Sequence, residues 1–309
     1  MLAILGITAP IFILIAIGFF ACRSGLISRD QAAGMGRFVI TFALPALVIR
    51  ALLERPLAEV FDWYYVLAYG LGSLLVFGLG YAFARLVRKD SLSGSAMVGL
   101  GVSVSNSGFI AYPIVAMALG SPAGVALALG MIIENVLMIP LALTLAELGR
   151  QSGGGVGKAL RGTARSLIRH PVLVAITAAL LMAILELHPP PVAMRVIDML
   201  ATAAAPVALF VIGASLSGMK PGGLVMDVSQ VAVGKLILHP LMVLLCFTLL
   251  PVSNPVLASA GVLMAAAPMM SIYPILGARY GLEGRCAAGL VVATVLSFLS
   301  VSVFIWAVG

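Results

Sequence analysis

The sequence predicts an all-α membrane protein of ten transmembrane helices, arranged as two five-helix repeats of opposite orientation. Three observations lead there. The chain is 62% hydrophobic and only 9% charged, with a mean hydropathy of +1.18, whereas a soluble domain carries about 25% charged residues. Ten apolar runs approach the length of about 20 residues that crosses a bilayer. Two of those runs are interrupted mid-span by helix-breaking residues, Val102–Pro113 and Ala265–Pro274. Unwound backbone at membrane depth survives only where it is buried or lines a cavity. A pair of interrupted spans in corresponding halves points to the binding site of a secondary transporter.

Taken in order, the candidate spans are 3–22, 32–50, 63–85, 94–119, 123–147, 170–187, 196–217, 229–250, 256–278 and 285–308. The first has no charge before its apolar run and no small-residue cleavage pattern after it, so it reads as a membrane helix rather than a leader peptide. Short links punctuated by Pro189-Pro190-Pro191 and Lys220-Pro221-Gly222-Gly223 separate later spans. The longest polar link, 150–169, divides a first repeat, 1–149, from a second, 170–309. It holds Gly157-Lys158, but Ala159 stands where a phosphate-binding loop needs Ser or Thr, which rejects a nucleotide site. Cys22, Cys246 and Cys286 are isolated and lack ligand spacing, so they read as small packing residues. No metal or cofactor is expected; a coupling ion, proton or sodium, is left open.

Charge orients the bundle. Links after odd-numbered spans hold thirteen of the eighteen Lys and Arg residues, among them Arg85, Arg88, Lys89 and Arg165. Links after even-numbered spans hold only Arg50, Arg55 and Arg195. The positive-inside rule then places the first set, with the 150–169 link, in the cytoplasm and both termini outside, in a bacterial inner membrane. The net charge of +7 is explained by the positive-inside rule rather than by nucleic acid, and Arg85, Arg88 and Lys89 read as a solvated run facing anionic lipid.

The halves also match each other. Pro10 and Pro171 are 161 residues apart, as are Pro45 and Pro206. The same offset carries Tyr112-Pro113-Ile114 onto Tyr273-Pro274-Ile275 and Gly120 onto Gly281. Each half has five spans, an odd number, so the second copy enters the membrane inverted. Inverted repeats with a broken helix in each copy are a transporter architecture.

Several stretches carry a family resemblance: Pro10-Ile11-Phe12 with Gly18, Phe42-Ala43-Leu44-Pro45-Ala46-Leu47, Asn106-Ser107-Gly108-Phe109 with Pro113, and Pro206-Val207-Ala208-Leu209-Phe210 with Gly213-Ala214. Together they resemble the auxin efflux carrier superfamily over essentially the whole chain, and most closely its malonate- and dicarboxylate-carrier branch. The resemblance implies the ten-helix fold of sodium/proton antiporters and bile-acid symporters, elevator-type movement, and a substrate site where the fourth and ninth spans cross. The family often has Gly where this chain has Ala111, and the second crossing stretch has no Asn.

The chemistry follows from the breaks. A half-helix N-terminus offers unpaired N–H groups and positive dipole, here placed just before Pro113 and Pro274, and a carboxylate is its natural guest. Asn106 can donate to a carboxylate or turn its carbonyl to a cation, with Ser105, Ser107 and Gly108 beside it. Tyr112, Pro113, Pro268, Met269, Ser271 and Tyr273 complete the expected crossing. Glu134 and Asn135 sit mid-span in the fifth helix, where a carboxylate is a functional candidate by default; its alternatives are a coupling proton site or a hydrogen bond onto the broken backbone. Lys235 and His239, four apart on one helical face, could form a cationic wall, or Lys235 could neutralise Glu134 or snorkel. His170 and His188 stand at span edges and read as interfacial.

The leading function is therefore a secondary carrier of a small organic anion such as malonate, not an enzyme. The alternatives are a carrier of a larger hydrophobic weak acid or sterol conjugate and, more remotely, a membrane-embedded enzyme or sensor. Expected partners are the anion, the lipid bilayer and a second copy in a homodimer.

Overall fold

With no water to bond the backbone, a spanning segment must satisfy its own N–H and C=O groups, and a helix does so within one segment. The computed structural model describes residues 2–54, 62–149, 165, 168–187, 189–218, 225–251 and 254–308. Most of the 150–169 link, and His188, lie outside the described residues. The helices are α1 (Leu2–Arg23), α2 (Arg29–Leu53), α3 (Trp63–Val87), α4 (Leu92–Ser103), α5 (Tyr112–Leu119), α6 (Pro122–Leu148), α7 (Pro171–Ile184), α8 (Pro191–Leu216), α9 (Val228–Leu249), α10 (Pro255–Ala266), α11 (Tyr273–Ala278) and α12 (Glu283–Val308). There is no strand among the described residues. Counting α4 with α5 as one span, eight segments are long and apolar enough to cross a membrane; α7 and α10 are shorter apolar helices. The chain is an integral membrane protein of eight to ten candidate spans.

Helix ends follow local chemistry. Ser28 caps α2 in a reciprocal box with Gln31, Ser91 caps α4 through the Gly94 N–H, and the Asn254 side chain accepts from Val256 and Leu257 ahead of α10. After α5, Gly120 turns the chain at φ 72°, and Gly281 does the same after α11 at φ 73°. That region is open to glycine at no steric cost.

Proline shapes the interiors. Wide π-turns occupy Val39–Ala43, Ser107–Ala111, Ile133–Met138 and Gly234–Leu238, and each is followed two residues on by Pro45, Pro113, Pro140 or Pro240. A proline ring clashes with the carbonyl four residues back and removes the bond it would have made. Widening the preceding turn relieves the clash, and such bulges recur at functional sites. One sequence expectation shifts here. The helix resumes at Ser107, as a π-turn leading into α5, rather than just before Pro113, because the Asn106 carbonyl accepts from both Ile110 and Ala111.

Packing divides the helices. α1 lies on α8, α2 on α7 and α8; α3 lies on α4 and α9; α6 packs on α4 and α10, and α12 on α9, α10 and α11. At the α1–α8 contact a Cβ on Gly18 would strike the Phe210 carbonyl, and one on Gly213 would strike the Ile15 carbonyl, so both glycines are needed for the backbones to meet. On the face holding the basic links, Arg285 pairs with Asp90 at 2.7 Å, Arg88 donates to Gln230 at 3.3 Å and Tyr280 donates to Glu147 at 3.3 Å.

Candidate functional site

Between α4 and the turn at Ser107, Val104 is extended (φ −119°, ψ 136°) and Asn106 leaves the helical region at φ −82°, ψ 63°. The second interruption runs between α10 and α11. The two broken stretches bond directly to each other. The Asn106 N–H donates to the Pro268 carbonyl at 2.8 Å, and Asn106 Nδ2 donates to Ser271 Oγ at 2.7 Å. Ile110 is the first residue of the resumed helix to donate back, so the amides of Ser107, Gly108 and Phe109 have no helical acceptor.

Two buried charges brace the crossing from behind. Glu134, 4% exposed on the π-turn of α6, accepts at Oε1 from Ser107 Oγ (2.7 Å), the Ser105 N–H (3.1 Å) and the Tyr69 hydroxyl (3.3 Å). Its other oxygen takes no donor from the described residues, and Glu134 is one of the residues lining the cavity in front of the crossing. Lys235, fully buried on the π-turn of α9, donates to the Ala265 carbonyl (2.6 Å) and Ser105 Oγ (2.9 Å), and lies 2.9 Å from His239 Nδ1. His239 Nε2 meets Ser73 Oγ at 2.9 Å. The carboxylate thus sits at the N-terminal end of one half-helix, and the ammonium at the C-terminal carbonyls of the other. Each opposes the local helix dipole. They are bridged through Ser105 rather than in direct contact.

In front of the crossing is a cavity of about 150 Å³. Of the residues singled out from sequence, Ser105, Asn106, Ser107, Gly108, Glu134, Asn135 and Ser271 line it. Lys235 and His239 are buried behind it, and Met269 is fully buried. Pro268 contributes its carbonyl to the crossing, while the Tyr273 hydroxyl turns away to the Met97 carbonyl at 2.9 Å. Tyr112 and Pro113 line a different cavity, beside α1 and α8. Asn135 Nδ2 is held by the Met131 carbonyl at 2.8 Å.

Sequence reasoning missed Tyr69 and Ser73, which look like ordinary apolar-helix residues until α3 is packed on α6 and α9. It also read His170 as interfacial. His170 lines the cavity instead, and its Nδ1 is buried with no partner among the described residues. His170 is the N-cap residue of α7, and its place in the cavity wall follows from packing that no sequence signal gave.

A family model described as "Membrane transport protein" matches residues 3–153 and 156–305. Among curated proteins the chain is similar to "Putative malonate transporter" of Rhizobium meliloti (strain 1021), 27% identical over 303 residues, spanning 98% of this chain and 95% of that one. It is also similar to "Lysosomal cholesterol signaling protein" of Mus musculus, 30% identical over 106 residues, covering 34% of this chain and 12% of that one. With matches over nearly its whole length, and with the broken-helix crossing in place, the chain belongs to this membrane transport protein family, that of the auxin efflux carriers, and is a membrane transporter rather than an enzyme.

Proposed function

We propose that the chain is a secondary carrier of a small organic anion, a carboxylate or dicarboxylate of malonate's size, bound at the crossing of its broken helices. The observation that carries this reading is the cavity in front of Asn106. At about 150 Å³ it has room for about five waters at about 30 Å³ each, the scale of a three-carbon diacid. Its donors are those an anion needs: the Asn106 amide, the Ser271 hydroxyl, the amides of Ser107, Gly108 and Phe109, and the His170 ring, whose Nδ1 has no partner among the described residues. The curated relative named as a malonate transporter agrees with that size and charge. A larger hydrophobic acid or a sterol would need the cavity to widen several-fold.

The Lys235 ammonium supports the same reading, because it offsets Glu134 and leaves the anion facing a balanced site. Glu134 lines the cavity, and its Oε2, without a donor among the described residues, is a group that can take up a proton with the substrate, which makes proton coupling the preferred mode.

The inverted five-plus-five repeat is part of this proposal. The packing of α1 on α8 is mirrored by α7 on α2, that of α3 on α4 by α9 on α10, and that of α5 on α6 by α11 on α12. Alternating access follows if α1, α2, α7 and α8 stay in place while the remaining helices carry the crossing past them. With both chain ends outside, the 150–169 link is cytoplasmic.

The test is uptake of labelled malonate into proteoliposomes, with and without an inward proton gradient, beside an Asn106→Ala control. Saturable uptake that the gradient drives and the substitution removes is the expected result. Folded protein that takes up no malonate would eliminate this substrate.

A further inference from the structure

A second cavity, about 360 Å³, lies beside the crossing and is lined by Arg50, Tyr112, Pro113, Met117, Pro206 and Thr202, among others. It is formed by the half of α2 away from the basic links, by α5, and by the matching halves of α1 and α8. Its walls repeat those of the crossing cavity. Ile11, Ala201 and Ala205 line the larger cavity, and their partners at the 161-residue offset, Val172, Ile40 and Leu44, line the smaller. The two cavities are therefore counterparts on opposite sides of the crossing.

They differ in charge. Arg50 is the one Lys or Arg lining the larger cavity, and its counterpart at the same offset is Val211. The guanidinium lies close enough to the Tyr112 phenol to interact with it. Among the described residues no carboxylate lies within ion-pair distance of it; the exposed Glu54, nearby along α2, acts on Tyr112 without pairing with Arg50. A half-buried guanidinium with no carboxylate against it among the described residues, in a cavity lined otherwise by neutral side chains, is a site that an anion would stabilise.

We infer that this cavity is the anion vestibule on the face opposite the basic links, and that Arg50 is its capture residue for carboxylates approaching from that side. The inference rests on the carrier reading for its substrate but not for its charge. An apolar-walled cavity with one cation focuses field lines and raises the local anion concentration. On the other side of the crossing His170 and the free amides take that part, so capture is asymmetric between the two faces.

The experiment introduces Met117→Cys, at a half-exposed cavity position, in open membrane fragments, with the unsubstituted protein as background for the native thiols. Anionic sulfonatoethyl and cationic trimethylammonioethyl methanethiosulfonates are compared. The anionic reagent should react about tenfold faster relative to the cationic one than it does with a free thiol. Arg50→Gln should abolish that preference, and Arg50→Lys should keep it. In sealed proteoliposomes Arg50→Gln should raise the half-saturating malonate concentration about tenfold on one face only, whereas Asn106→Ala stops transport from both. A thiol that neither reagent reaches, or a preference unchanged by Arg50→Gln, overturns the vestibule. A charge preference that depends on Arg50 in a protein that moves no malonate would uphold the vestibule and remove the malonate reading.

Discussion

At the scale of single residues, the site is a set of buried polar groups, with Asn106, Glu134 and Lys235 each bonded to a segment distant in sequence. Asn106 joins the two breaks, and Asn106→Ala keeps the backbone bond to the Pro268 carbonyl but leaves the Ser271 hydroxyl without its side-chain cross-link. Malonate uptake should fall at least tenfold, about the effect of losing 1.4 kcal/mol of binding, with the protein still eluting as a folded species. Glu134→Gln keeps an acceptor for Ser105 and Ser107 but cannot exchange a proton. Uptake should persist down a malonate gradient and no longer respond to an imposed proton gradient; undiminished proton drive would sink Glu134 as the coupling group. Lys235→Met removes the ammonium but keeps its volume, and strands the Glu134 carboxylate in a buried site. The cost should be about 3 kcal/mol, read as a lower thermal midpoint. Adding Glu134→Gln should restore part of it, since the stranded charge is then gone.

At the scale of elements, the recurring device is a π-turn placed just before a proline. In α6 it carries Glu134, in α9 Lys235, and at the resumed helix Ser107, each within seven residues before Pro140, Pro240 or Pro113. The proline sets where the helix widens, and the widened turn aims a polar side chain into the bundle. The other element-level feature is the contact of α1 with α8 through Gly18 and Gly213. Gly213→Ala pushes a methyl into the Ile15 carbonyl and should cost about 1–3 kcal/mol, measured by thermal unfolding in detergent. A neutral result would mean that α1 and α8 separate without penalty.

At the scale of the whole molecule, the proposed movement requires α2 to slide past the crossing. Leu44 on α2 touches the Gly108 position, where a Cβ would lie 2.7 Å from Leu44 Cδ1. Cysteines at 44 and 108 bridged by mercury should therefore arrest transport, and a thiol reductant should release it. Transport that continues in the bridged protein would mean that these two elements travel together.

Much of the fold was legible in advance because hydrocarbon imposes it. A mean hydropathy of +1.18 and runs near 20 residues leave few structures other than helices, and the interrupted stretches Val102–Pro113 and Ala265–Pro274 stand out for their helix-breaking residues at membrane depth. Asn106, Ser271 and Glu134 were legible for the same reason: a polar group at membrane depth must have a partner or a task. Which partner is a different kind of information. Tyr69 acquires its partner only when α3 lies against α6 and Ser73 when α3 lies against α9, and Lys235 holds the Ala265 carbonyl and Ser105 rather than walling the cavity. His170 enters the site from the N-cap of α7, and the Tyr273 hydroxyl leaves it for the Met97 carbonyl. The sequence thus determines which segments cross and where they break, since solvation and helix chemistry act locally along the chain. Tertiary packing decides which polar groups meet and which face a cavity, because those contacts join residues far apart in sequence whose distances no local rule constrains.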